Sequence, residues 1–191
     1  MSSREKRPSA LVIQTLGRCE ILLRGRIIAT WGWRDQKALE LLLAVVTLGG
    51  QQVPWTELIK LLWPEQDKDR AVTEWYATLR RLQLILRRPD NTGARFIMVI
   101  GGRLSLHPSF CWVDCWAFEE AVRQAMRFDI LGQREMACER LREATGLYRG
   151  DYLPGVLGPT CIEAKRHSLN RQRRWVERQL TAQEGDRSAL T

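Results

Sequence analysis

Short apolar runs open the patterned part of the chain. Leu11-Val-Ile-Gln-Thr-Leu16 and Cys19-Glu-Ile-Leu-Leu23, parted by Gly17-Arg18, predict two strands joined by a tight turn, and Ile27-Ile28-Ala29 a third strand. The period then changes. From Trp33 onward, apolar residues fall at Ala38, Leu41, Leu42, Val45 and Val46, the stripe of a helix with one buried face, and Gly49-Gly50 ends it. Residues 51–53 read as a short extended piece. Pro54 suits the first turn of a second helix, which Pro64 stops. Asp67 or Asp69 can cap a third helix running to about Arg88, with Val72, Trp75, Tyr76, Leu79, Leu82 and Leu86 on the side predicted to face the core. A turn cluster at 89–93 leads to two strands, 95–100 and 103–106, around Gly101-Gly102, a hairpin signature. Strands, three helices and a closing hairpin are the plan of a winged helix, a helix-turn-helix variant.

Beyond Asp114 the period is helical throughout. Residues 116–128 and 134–148 predict two helices, the run 150–155 (Gly-Asp-Tyr-Leu-Pro-Gly) breaks the pattern, and a long basic helix follows from Thr160 to about Glu184. Antiparallel helix pairs with short connections are the units of helical repeats.

Charge sharpens this division. Residues 1–112 hold 17 Lys/Arg against 10 Asp/Glu, whereas residues 113–191 hold 13 against 12. A basic half joined to a near-neutral half points to a polyanion as partner of the first half only. The longest greasy stretch, Leu39 to Leu48, is interrupted by Glu40 and Thr47 and is too short to cross a bilayer, and residues 1–8 are charged with no apolar segment after them. A cytoplasmic protein with no membrane partner is the expectation. The five cysteines, Cys19, Cys111, Cys115, Cys138 and Cys161, show no framework spacing, so reduced thiols are expected.

A series of short segments gives the chain a family likeness. In order they are Leu16-Gly17, Trp33-Arg34 with Lys37-Ala-Leu-Glu-Leu-Leu42, Leu58-Ile59 with Leu61-Leu-Trp-Pro64, Asp69-Arg-Ala71, Leu79 with Arg81-Leu82, Gly101-Gly-Arg-Leu104, Val113-Asp114 with Phe118-Glu119, and Leu147-Tyr-Arg-Gly-Asp-Tyr-Leu-Pro-Gly155. With this order and spacing, residues 10–184 resemble the bacterial transcriptional activator domain family, the SARP-type regulators and their relatives fused to larger signalling proteins. The resemblance implies an α+β winged helix-turn-helix domain of OmpR type over residues 10–110. It implies an all-α, tetratricopeptide-like helical domain over residues 113–184.

In a winged helix the third helix enters the major groove, which admits an α-helix. The side opposite the predicted core carries Arg70, Thr73, Glu74, Ala77, Arg81 and Arg88. Arg70 and Arg81 suit a phosphate or a guanine edge, and Thr73 a phosphate or a thymine methyl. Arg80, Arg87, Arg88 and Arg103 suit phosphates at the helix end and the wing. Glu74 repels phosphates unless it accepts from a cytosine amino group. A solvated basic helix face has the same composition. Family members usually offer Arg and Asn near Val72, Thr73 and Glu74, and an aromatic where Arg103 stands.

Other constellations carry less. His107, Cys111 and Cys115 form an H-x3-C-x3-C string, but a structural zinc site wants a fourth ligand that the sequence does not supply nearby, so no metal is expected. No nucleophile elbow, phosphate loop or metalloprotease motif occurs, so neither enzymatic activity nor a cofactor is expected. Most of the eight tryptophans lie beside amphipathic stripes and suit core packing, Trp31 and Trp112 excepted. The expected function is a transcriptional regulator that binds double-stranded DNA and contacts RNA polymerase or another protomer through its helical domain. The alternative is a degenerate winged helix serving as an interaction or signalling module that does not read DNA.

Overall fold

The computed structural model describes residues 10–86, 96–156 and 160–189, apart from Trp31 and Trp33. The chain divides into two compact units, one of described residues up to Ile13 with Glu20–Trp112, the other of Gln14–Cys19 with Val113–Thr191. Up to Val113 the chain forms, in order, β1 (Leu11–Gln14), β2 (Glu20–Leu23), β3 (Arg26–Thr30), α1 (Gln36–Thr47), β4 (Val53–Pro54), α2 (Trp55–Leu62), α3 (Lys68–Ile85), β5 (Ile97–Ile100), β6 (Arg103–Leu106) and β7 (Cys111–Val113). One sheet has the order β3-β2-β1-β7 and the other β4-β6-β5. The short strand β7 has no signal in the sequence pattern.

Helix α1 is the centre of the first unit. Leu39, Leu43 and Ala44 are buried along with the expected stripe, because α2 and α3 pack on it and β6 approaches it as well. The helix unwinds at Gly49 and Gly50, both at positive φ, with the Gly50 amide donating back to the Val45 carbonyl at 2.9 Å. Pro54 stands just outside α2 rather than in its first turn. Its extended backbone (φ −63°, ψ 131°) places it in β4 opposite Arg103. Strands β5 and β6 pair from Ile97 with Leu106 to Ile100 with Arg103, so Gly101 and Gly102 form a two-residue turn with both φ positive, as the pattern predicts. A Cβ on Gly102 would also come within 3.2 Å of the Trp55 ring.

The second unit holds α4 (Asp114–Ile130), α5 (Arg134–Leu147) and α6 (Thr160–Ala189). Helices α4 and α5 meet through Phe118, Ala121, Val122 and Ala125 on one side and Ala137, Leu141 and Ala144 on the other, all buried. The alanines let the two helices approach closely. Helix α6 presents Ile162, Leu169 and Val176, buried residues seven apart, the spacing that keeps one side of a helix against its neighbours.

Residues 14–19 do not form the expected tight turn. They belong to the helical unit, held by the buried carboxylate of Asp114 at the start of α4. That carboxylate accepts from the Thr15 amide at 2.8 Å, the Thr15 hydroxyl at 2.7 Å, the Leu16 amide at 2.9 Å and the Cys115 amide at 2.8 Å. Leu16 then bridges Tyr152, and the Gly17 amide donates to the Asp151 carbonyl at 2.9 Å. Gly17 (φ 78°) has no room for a side chain, since a Cβ would sit 2.8 Å from the Arg149 carbonyl oxygen.

The corner between α5 and α6 is closed from the other side by Arg166. Its guanidinium donates to the carbonyls of Tyr152 (2.7 Å), Val156 (2.8 Å) and Leu153, and pairs with Glu163. Leu153 is fully buried at φ 47°, a left-handed conformation that costs a non-glycine residue about 1–2 kcal/mol and is offset here by these bonds. Tyr152 is buried as its place in the corner implies, while Asp151 braces the turn with its backbone carbonyl and keeps its side chain exposed.

Cys111 and Cys115 carry free thiols that burial pushes up to about 12. Cys111 donates to the Phe96 carbonyl, and His107 stacks on Phe110 with ring centroids 4.3 Å apart while its Nδ1 accepts from the Ser109 amide. Among the described residues no three His, Cys, Asp or Glu side chains cluster as a metal site, and no helix is long and apolar enough to cross a membrane.

Asp114→Ala leaves two buried amides of the 14–19 segment and the Thr15 hydroxyl without their acceptor. It should destabilise the helical unit by at least about 3 kcal/mol, read as a lower urea midpoint; a midpoint within experimental scatter of wild type would refute the carboxylate's role. The two thiols give a pH signature. They stay protonated in the folded chain while unfolded thiols ionise near 9, so stability present below that pH is lost as pH climbs toward about 12. Denaturant midpoints should hold steady up to about pH 9 and fall as pH rises from there toward 11, and Cys111→Ala and Cys115→Ala should each flatten the fall.

Candidate nucleic-acid interface

Helix α3 starts where Asp67, in extended conformation, accepts from the Arg70 amide at 3.0 Å, an N-cap that satisfies one free donor of the first turn. Its inner side is Ala71, Trp75, Thr78, Leu79 and Leu82, with Leu86 just beyond the helix, and it packs on α1. Trp75 is 2% exposed and its ring centroid lies 6.2 Å from that of Trp55. At 3.6 residues per turn, the line opposite this core runs through Thr73, Ala77, Arg80 and Leu84, all exposed.

Arg80 lies in the middle of that outward line. Arg70 and Arg81 lie on one flank, where Arg81 Nε is 3.0 Å from the Asp35 carboxylate beside the start of α1, with its side chain 68% exposed. Glu74 is half-buried on the same flank, nearer the core. The Thr73 hydroxyl donates to the Asp69 carbonyl at 3.0 Å. Arg103 opens β6 on the hairpin, exposed, with Nη1 donating to the Gln52 carbonyl at 3.0 Å. One helix thus carries Arg70, Thr73, Glu74, Arg80 and Arg81 on its exposed arc, and the wing carries Arg103. Arg87 and Arg88, the turn at 89–93, Arg95, Trp31 and Trp33 lie outside the described residues.

The expected core side of α3 is rotated. Tyr76, predicted to be inside, is 63% exposed, and Leu84 is 59% exposed on the outward line. Val72 is half-buried at a cleft of about 390 Å³ that Trp55, Ile59, Trp63, Pro64 and Ala71 also line. The cause is size. Weighting large apolar residues hides the small buried pair Ala71 and Thr78, whereas the spacing Ala71, Trp75, Thr78, Leu82 marks the inner line correctly. The wing is apolar too, with Val99 and Ile100 (68%) exposed.

Three helices closed by a two-stranded wing, with the third helix exposed along its length, followed by an all-helical region, define a winged helix-turn-helix protein with a helical domain. Residues 113–187 match the family described as the bacterial transcriptional activator domain, in line with the resemblance in the sequence. The fold is similar to that of Mycobacterium tuberculosis EmbR, solved in complex with a low affinity phosphopeptide. The TM-score is 0.69 and the identity 18%, with 88% of this chain and 44% of that chain covered. The present chain therefore spans less than half the length of that relative. No curated protein matches it in sequence.

The register of α3 is testable by stability alone. Trp75→Ala should cost about 3–5 kcal/mol, the loss expected for a buried aromatic, while its neighbour Tyr76→Ala should stay within about 0.5 kcal/mol of wild type. Equal losses at both positions in a urea melt would show that the helix is turned differently.

Proposed function

We propose that the chain is a bacterial transcriptional regulator, not an enzyme, that acts in the cytoplasm by binding double-stranded DNA with α3 in the major groove and the β5–β6 hairpin alongside. The observation that carries this reading is the outward line of α3. It is exposed from Thr73 to Leu84, with Arg80 on it and Arg70 and Arg81 on its flank, on the half of the chain that holds most of the excess positive charge. Arg80 meets a phosphate or a guanine edge. Arg70 and Arg81 lie toward one backbone strand, Arg81 exchanging its Asp35 partner for a phosphate, and Arg103 meets the backbone from the wing, with Arg87 and Arg88 extending the set. The match of residues 113–187 to a transcriptional activator domain supports the regulator reading, and an EmbR-like fold is compatible with it. The helical domain contacts RNA polymerase or a second protomer. Met126, Ile130, Leu131 and Met136, exposed around the α4–α5 turn, are apolar surface available to such a partner.

A second reading, an interaction module that does not bind DNA, is favoured by two observations. Glu74 brings a carboxylate to the flank of α3, and the wing exposes Val99 and Ile100. Duplexes from a randomised pool, titrated at several salt concentrations, separate the two. The regulator reading expects log affinity to fall linearly with log salt. Arg80→Ala should weaken binding by about 1–3 kcal/mol if Arg80 reaches a base edge, and Glu74→Gln should strengthen nonspecific binding if the carboxylate only repels phosphates. Absence of binding to any duplex at low salt leaves the module reading standing.

A further inference from the structure

The outward face of α3 is mostly not cationic. Tyr76, next to Ala77 and one turn from both Thr73 and Arg80, projects from the helix with 63% of its surface exposed. It supports no core, since the inner side is filled by Ala71, Trp75, Thr78, Leu79 and Leu82. One exposed ring on a monomer surface is ordinary by itself, but this one stands beside two further small apolar groups on the exposed arc of α3. Ala77 offers only a methyl group, and the Thr73 hydroxyl donates its hydrogen to the Asp69 carbonyl, so Thr73 offers a ligand its γ-methyl and an acceptor oxygen but no proton. Thr73 therefore lies between the Tyr76 ring on one side and the Ala77 methyl on the other, an apolar patch near the middle of a helix whose polar reader is Arg80.

In the major groove one base carries an apolar mark, the C5-methyl of thymine, and side chains of this kind pair with it. Resting on the DNA-binding reading above, we propose that Tyr76, with Ala77 and the Thr73 methyl, selects target sites by packing against thymine methyl groups. The preferred sequence is then thymine-rich at the base pairs facing the first half of α3.

The test uses the full chain and duplexes selected from a randomised pool, each remade with deoxyuridine in place of thymidine one position at a time, which removes the methyl and leaves every hydrogen-bonding group. At one or two positions the exchange should weaken wild-type binding about fourfold, the fold-change of one buried methyl. Tyr76→Ala should lower affinity for the thymine duplex and abolish the difference between the two. The slope of log affinity against log salt should not change, because no cation is lost. Tyr76→Phe, which keeps the ring, should retain the discrimination.

The outcomes separate this inference from the reading beneath it. Wild-type protein that binds no duplex ends both. Wild-type protein that binds selected duplexes but does not distinguish uracil from thymine overturns the methyl-reading role and leaves DNA binding intact. Tyr76→Ala with unchanged affinity and discrimination does the same, and assigns the ring to a protein-facing surface.

Discussion

The carboxylate of Asp114 is the constraint on which the helical unit's chain path depends. Buried at the first residue of α4, it is stable there only because four donors converge on it, three of them from Thr15 and Leu16, almost a hundred residues earlier. A buried charge without such partners would cost several kcal/mol. The same requirement explains why residues 14–19, between the end of β1 and the start of β2, group with the helices. Once Leu16 is held, it pairs with Tyr152, Gly17 approaches Gly150 closely, and the Leu153 amide donates to the Thr15 carbonyl at 2.7 Å.

Arg166 completes this arrangement with the opposite sign. Its guanidinium satisfies three carbonyls of a corner that has no regular structure to pair them, a use for which a planar group with five donors is well suited. Anion and cation thus play matching parts, one collecting amides and the other collecting carbonyls. Both take polar backbone that a loop would ordinarily leave to water and allow it to be buried. The Leu147–Gly155 segment owes its composition to this role. Its glycines and proline shape the corner, and Tyr152 and Leu153 fill it.

The winged helix is governed by packing instead. Helix α1, buried nearly all round, sets where α2 and α3 sit, and the inner line Ala71, Trp75, Thr78, Leu82 sets how α3 is turned. Everything about the candidate interface follows from that rotation. It brings Arg80 to the middle and turns Tyr76 and Leu84 out. Arg81 goes to a flank where Asp35 meets it; at 68% exposure the pair adds little stability and is easily exchanged for another anion. The wing adds one cation, Arg103, and a largely apolar edge.

The sequence by itself determined the order of the elements other than β7, the winged-helix plan, the hairpin at Gly101-Gly102, a cap at Asp67 or Asp69 and the helical character beyond Asp114. All of these rest on local rules, namely hydrophobic period, turn chemistry and capping, that operate over a few residues. The family likeness over residues 113–187 was legible for the same reason, since its most specific segment is a contiguous corner. The rotation of α3, the strand β7 and the assignment of residues 14–19 were decided only by tertiary structure. A small buried residue such as Ala71 or Thr78 is visible only from what packs on it, and a three-residue strand forms only because β1 is there to pair with it. Asp114 reads in the sequence as an ordinary polar residue before a helix. Its meaning comes from donors that the fold brings to it across 98 and 99 positions of chain.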